Sequence, residues 1–272
     1  MGLSKLEAPE VLNFVITGQL ECGASLLREA LNRHSMLICH GDLLAEDDAS
    51  RRVHHESYFG PSGNTPDWLV AGHISGEQYL TNKIFDNPLR GEKAIGVKIP
   101  YSRVYAYDLW DYLSNRCLVG DFCMIQVKRN PVACFVSIQQ RCPVFPNLAT
   151  PQESSFEREL REISDLPPPP PPPLLQLDID ELVSFVRQHA AADEKIARVC
   201  DDRLEINYSE LIYDFPNVFQ ETLKFLGMPS ERVKSPICIK GAGAGHRLTQ
   251  WRHLRDKVPH DIRSYFEDKE FF

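Results

Sequence analysis

The chain has no cysteine pair spaced C-x-x-C, no run of apolar residues near membrane-spanning length, no excess of basic charge, and no lysine where its glycine-rich loop most needs one. Each absence removes a class of protein. The eight cysteines (Cys22, Cys39, Cys117, Cys123, Cys134, Cys142, Cys200, Cys238) are scattered, and several lie in apolar runs, which is the pattern of buried, reduced thiols and not of a zinc site or disulfide scaffold. No apolar stretch approaches the roughly 18 residues that cross a bilayer. The first strand pattern begins near Leu12, which leaves no room for a secretory h-region, so the expected compartment is the cytoplasm. A net charge of −8 and a pI near 5.6 argue against a general nucleic-acid binder, though not against a small anionic cofactor held in a local basic pocket. What remains is an ordinary globular composition, 43% apolar and 25% charged over 272 residues, enough to bury a full core.

The missing lysine belongs to the most informative stretch. Phe14-Val15-Ile16-Thr17 reads as a buried strand, Gly18 to Gly23 as a tight loop, and Ser25 to Arg33 as a helix with Leu26, Leu27, Ala30 and Leu31 on one face. Gly18 to Ser25 matches the spacing G-x-x-x-x-G-K-[ST], with Ala24 in place of the lysine. Such a loop keeps the backbone shape that wraps a phosphate at a helix N-terminus, because the dipole and unpaired N–H groups need no side chain. It lacks the residue that grips β- and γ-phosphates, so splitting ATP is disfavoured.

Further along, strands are expected at 36–39, 94–99, 122–127 and 204–208, with helices near 104–113, 131–140, 179–200 and 216–226. Alternation of this kind implies an α/β fold, a central parallel sheet flanked by helices in three layers. Ligands bind at the carboxyl ends of strands in such folds, where Gly18, Asp42, Lys98 and Arg129 all fall. Residues 45–92 are polar and weakly periodic, and suit loops with short helices that choose a substrate. A charged helix near 153–165 precedes seven prolines, Pro167 to Pro173, which read as a rigid spacer inside a helical insertion spanning about 150–200. A single domain carrying this insertion is the simplest organisation. No pattern specifies an oligomeric state.

Three segments carry a family resemblance. Gly18-Gln19-Leu20-Glu21-Cys22-Gly23-Ala24-Ser25-Leu26-Leu27 resembles the 5′-phosphosulfate loop of sulfotransferases that use 3′-phosphoadenosine 5′-phosphosulfate (PAPS). Val127-Lys128-Arg129-Asn130-Pro131, with Ser137 eight residues after the arginine, resembles their 3′-phosphate motif. Tyr208-Ser209-Glu210-Leu211 followed by Phe225-Leu226-Gly227 resembles their late signature, and the soluble bacterial members are nearest in style. The resemblance implies a P-loop-like fold and transfer of a sulfuryl group from PAPS to a hydroxyl or amine of a small metabolite, natural product or carbohydrate. Adenosine 3′,5′-bisphosphate (PAP) is then the product, and no metal is required. It further implies that the backbone from Cys22 through Gly23, Ala24 and Ser25 to Leu26, with the Ser25 hydroxyl, holds the 5′-phosphate. Arg129 and Ser137 would hold the 3′-phosphate, Tyr208 would lie near adenine, and Asp42 would be the base. His40 is an alternative base, and His54, His55 and Glu56 are candidates from the variable loops. Lys240, Arg247, Trp251 and Arg252 could close the site late in the chain.

Two residues depart from the family pattern. Glu21 stands where a lysine or arginine is usual; at about 4 Å and an effective dielectric of 20, a carboxylate would repel each cofactor charge by roughly 4 kcal/mol. Ala24 removes a hydroxyl donor. Either Glu21 is turned away and another cation, Lys98 first among them, replaces the missing one, or the chemistry is altered. The alternatives are a catalytically silent nucleotide-binding protein of the same fold and, less favoured, a P-loop kinase.

Overall fold

The computed structural model describes residues 11–41, 44, 75–86, 91–139, 177–233 and 251–267. Asp42, His54, His55, Glu56, most of the expected substrate loops, the charged helix near 153–165, the proline run and Lys240 to Arg247 lie outside them, as do the side chains of Trp251 and Arg252. The chain divides into two compact units, residues 1–128 with 192–236 and residues 129–191 with 237–272.

The first unit is built on five strands, β1 Leu12–Gly18, β2 Leu37–His40, β3 Ala94–Pro100, β4 Phe122–Lys128 and β5 Arg203–Asn207, in the order β2-β3-β1-β4-β5. Every pairing is parallel. β3 is buried along its whole length, so both faces of the sheet are covered by other elements, which is the condition for an all-parallel sheet. This is the expected α/β class. Side chains alternate across the sheet: Val15, Val97 and Met124, paired across β3-β1-β4, face one cluster with the helices Tyr101–Ala106 and Trp110–Leu118 and with Ala192 and Ile196. Phe14 and Gly96 face the other way, and a Cβ on Gly96 would lie 2.2 Å from the Phe14 ring, so glycine there is what lets the ring lie flat. Lys98, two residues on, shares that face.

Two local expectations change. The helix near 104–113 is two helices, because Tyr107 to Leu109 break it and Asp108 takes a left-handed φ of 50°. Tyr208 opens the helix Tyr208–Tyr213 instead of ending β5: Asn207 and Glu210 form a capping box, with Glu210 accepting from the Asn207 N–H at 3.3 Å. Residues 75–86, in the stretch expected to hold loops with short helices, form a capped helical turn and a π-helix that deliver Tyr79, Leu80, Ile84 and Phe85 to the core.

In the second unit, the helix Pro131–Gln139 packs Val132, Ala133 and Phe135 against Leu182 and Val186 and against Val258, Ile262 and Phe266 near the C-terminal end. Its first turn is held by Asn130, whose Oδ1 accepts from Val132 N–H at 2.9 Å and Ala133 N–H at 3.3 Å. Asn130 Nδ2 donates to Tyr265 O at 2.7 Å, which ties the cap to the C-terminal segment. The helix Ile179–Val199 supplies residues to both units.

Candidate functional site

β1 is the strand at which the connections reverse direction, with β3 on one side and β4 on the other. Its carboxyl end is therefore the expected ligand crevice of an open parallel sheet. Gly18 ends it, paired with Pro100 and Val127. A Cβ on Gly18 would stand 2.4 Å from the Val127 carbonyl oxygen and 2.7 Å from Cys22 Sγ, so no larger residue fits. The loop then folds back on itself, Cys22 N–H donating to Gln19 O at 3.2 Å and Leu20 N–H to Gln19 Oε1 at 3.0 Å. Glu21 adopts φ 65° and Gly23 φ 95°, both in the left-handed region. For Gly23 this is natural; for Glu21 it costs of the order of 1–2 kcal/mol.

Helix α1, Ala24–Leu31, starts from Gly23 with no side chain capping its N-terminus. Leu26 N–H donates to Gly23 O at 3.0 Å. The Cys22 and Leu26 donors are thus engaged within the loop, which leaves Gly23, Ala24 and Ser25 as the N–H groups for which the helix itself has no acceptor. Lys98 comes to the same place from β3. It pairs with Ile16, is only 9% exposed, and its Nζ donates to Ser25 Oγ at 2.9 Å. A buried ammonium thus stands at the first turn of α1, in a loop whose own sequence carries alanine at the lysine position. The loop and Lys98 together can hold an anion.

Two further residues frame this end of the sheet. A Cβ on Gly23 would meet the Tyr208 ring at 2.7 Å and Leu211 Cδ2 at 3.3 Å, so Tyr208 lies directly against the cradle glycine. That contact explains the late signature: Glu210 closes the capping box, Leu211 is buried, and Tyr208 is set on Gly23. On the other side, a Cβ on Gly41 would collide with the Arg28 guanidinium, placing this α1 cation over the residue that precedes Asp42. Arg28 also pairs with Glu29. Cys39, beneath them in β2, has its thiol pushed up to about 12 by burial, with Arg28 and Lys98 pulling the other way. His40 ends β2 and is buried.

Sequence reasoning missed the polar network on the sheet beside the cradle. Tyr101 Oη donates to Asp193 Oδ1 at 2.6 Å, and Gln126 Nε2 donates to Tyr101 Oη at 2.7 Å and to Asp193 Oδ1 at 3.0 Å. Arg203 Nε donates to Gln126 Oε1 at 3.0 Å. Burial, then the Asp193 charge, raises the Tyr101 hydroxyl well above its ordinary range, so it remains a donor. Gln126 pairs with Thr17, one residue before Gly18, so the network braces the strand end that launches the loop. A polar residue inside an apolar strand run was the available signal. Arg129 and Ser137 lie in the second unit; both are half-buried, Arg129 one residue beyond β4 and Ser137 on the helix Pro131–Gln139. Among the described residues there is no group of acidic, histidine or cysteine side chains able to hold a metal ion, and no helix long and apolar enough to cross a membrane.

No family model matches the chain, and no curated protein matches it. Among solved structures it is similar to a sulfotransferase from Alicyclobacillus acidocaldarius, at 18% identity over 94% of this chain and 91% of that one, with a TM-score of 0.48. It is also similar to the sulfotransferase domain of the Synechococcus PCC 7002 olefin synthase, at 17% identity over 99% and 91%, TM-score 0.40. A mouse sulfotransferase, SULT7A1, complexed with PAP, is similar at 14% identity over 97% and 77%, TM-score 0.39. With TM-scores below 0.5 the likeness is loose, and the functional reading rests on this chain's own residues.

Proposed function

We propose that this protein is a sulfotransferase that moves a sulfuryl group from PAPS to a hydroxyl or amine of a small metabolite or carbohydrate, releasing PAP. The observation that carries this reading is the Lys98 ammonium, 2.9 Å from Ser25 Oγ, supplying from a neighbouring strand the cation that the loop's own sequence omits. When bound, PAPS brings the sulfuryl group and the leaving phosphate. The chain's residues divide the remaining work. Gly23, Ala24 and Ser25 N–H groups and the Ser25 hydroxyl hold the 5′-phosphate, and the loop from Cys22 to Leu26 sets their direction. Lys98 stabilises the negative charge that grows on the bridging oxygen as its bond to sulfur breaks. Arg129 offers a planar fork to the 3′-phosphate, with Ser137 as a second donor. Tyr208, beside Gly23, bounds the adenine side. Asp42 takes the acceptor's proton as the new bond to sulfur forms, with His40 the alternative.

Binding and transfer are tested in sequence. PAP added to the purified protein is expected to raise its melting temperature while ATP does little. Sulfate transfer to a panel of hydroxyl and amine acceptors should follow. A protein stabilised equally by ATP, or by neither nucleotide, overturns the reading.

A second reading, a binding protein without transfer activity, is favoured by Glu21, a carboxylate in the cradle held at a left-handed φ. PAP binding with no transfer to any acceptor, and transfer gained on Glu21→Lys, would select it.

A further inference from the structure

The polar side chains beneath the cradle share one rung of the sheet. On the face that carries Val15, one rung across β3, β1 and β4 is Val97, Val15 and Met124, all apolar. The next, the last before Gly18, is Ile99, Thr17 and Gln126. Thr17 and Gln126 are fully buried, and Thr17 Oγ1 donates to Ile99 O at 2.9 Å. Arg203 Nε donates to Gln126 Oε1 at 3.0 Å, which fixes the amide's orientation and turns Nε2 toward Tyr101 and Asp193. Tyr101 Oη accepts from Gln126 at 2.7 Å and donates to Asp193 Oδ1 at 2.6 Å. Arg203 Nη1 donates to Cys200 O at 2.9 Å, so the end of the helix Ile179–Val199 that carries Asp193 is tied to β5 as well. Tyr101 directly follows Pro100, the residue in register with Gly18.

We propose that Asp193 is a positioning residue for the anion cradle, acting through Tyr101 and Gln126 to hold the ends of β3, β1 and β4 at the spacing the loop needs. The inference rests on the sulfotransferase reading of that loop. A buried polar network is often no more stabilising than apolar side chains of the same volume, so stability alone does not account for an amide, a phenol and a carboxylate beside a wholly apolar rung. Hydrogen bonds add direction. Tyr101 is held where both Gln126 and Asp193 reach it, and Pro100, its chain neighbour, is thereby fixed against Gly18. The N–H groups of Gly23, Ala24 and Ser25 have no side-chain torsion with which to adjust their aim, so they depend on where β1 releases the chain. A small error in that position weakens every bond to the phosphate at once. A carboxylate would repel the phosphate directly, so the contribution of Asp193 passes through the two donors it orients.

The test measures PAP affinity of the full chain by titration calorimetry, well below the melting temperature, so that only folded protein is read. Asp193→Ala is expected to raise the Kd for PAP by roughly tenfold or more. Tyr101→Phe, which keeps the ring and removes only the hydroxyl, should do the same, and it carries the test if Asp193→Ala fails to fold. Asp193→Asn retains an oxygen to accept from Tyr101 and should restore most of the affinity. The double variant Tyr101→Phe with Asp193→Ala should bind no more weakly than the worse single one, because both act through one hydrogen bond. Variants that unfold more easily yet bind PAP as tightly as the wild type would overturn the proposal and leave the sulfotransferase reading standing, as would an Asp193→Asn chain as weak as Asp193→Ala. A wild-type protein that does not bind PAP overturns both.

Discussion

Two strand-to-helix turns of this chain solve the same problem in opposite ways. After β4, Asn130 folds its side chain over the start of the following helix and occupies the N–H groups of Val132 and Ala133. After β1, Gly23 starts α1 with no capping side chain, and a buried lysine from β3 stands at that first turn. A capped N-terminus suits stability; an uncapped one with a cation beside it suits an anion. The first has spent its donors, and the second has kept them.

The sharpest way to break this contrast is Lys98→Ala. Removing the cation should lower sulfate transfer by about 10²–10³-fold and abolish the PAP-induced rise in melting temperature, read by the transfer assay and thermal shift. Equal activity in the variant would leave the two turns functionally alike. Gly23→Ala comes next. The added methyl must sit at φ 95° and meet Tyr208 at 2.7 Å, so stability should fall by roughly 1–3 kcal/mol in urea melts, with loss of PAP binding. Asn130→Ala tests the other turn: a cost of about 1–2 kcal/mol is expected from equilibrium unfolding of the full chain. The smallest effect concerns pH. Lys128 Nζ donates to Glu205 Oε2 at 2.7 Å, and this bond holds the Glu205 carboxyl below its ordinary range. A lowered carboxyl contributes stability above its ordinary value and loses it as pH falls through the depressed one. Lys128→Ala should therefore flatten, slightly, the acid limb of a melting-temperature profile.

Much of this frame was legible before any coordinates. β1, β3 and β4 read as apolar runs because buried parallel strands need apolar side chains on both faces, and their bounds agree with the structure to within a residue or so. The glycine spacing of 18 and 23 was equally plain. The expectation failed where a local pattern has two solutions. Tyr208 continues an apolar–polar alternation, yet Glu210 reaches back to Asn207 and a helix starts there instead. The break at Asp108 is invisible because an aspartate at left-handed φ carries no sequence mark as strong as glycine. Residues 75–86 hide core side chains among polar neighbours, since a π-helix shifts the spacing away from the 3.6 period that reveals an α-helix.

The chain's order of residues settled where strands and helices would form and that one turn would be bare glycine backbone, because short-range sterics and burial patterns act within a few residues. Lys98 could be named as a candidate cation from its place near a strand end, but that it enters this turn was settled only by folding. Ser25 and Lys98 lie 73 residues apart, and their meeting depends on β3 lying beside β1 in parallel register, a long-range pairing that no local pattern encodes.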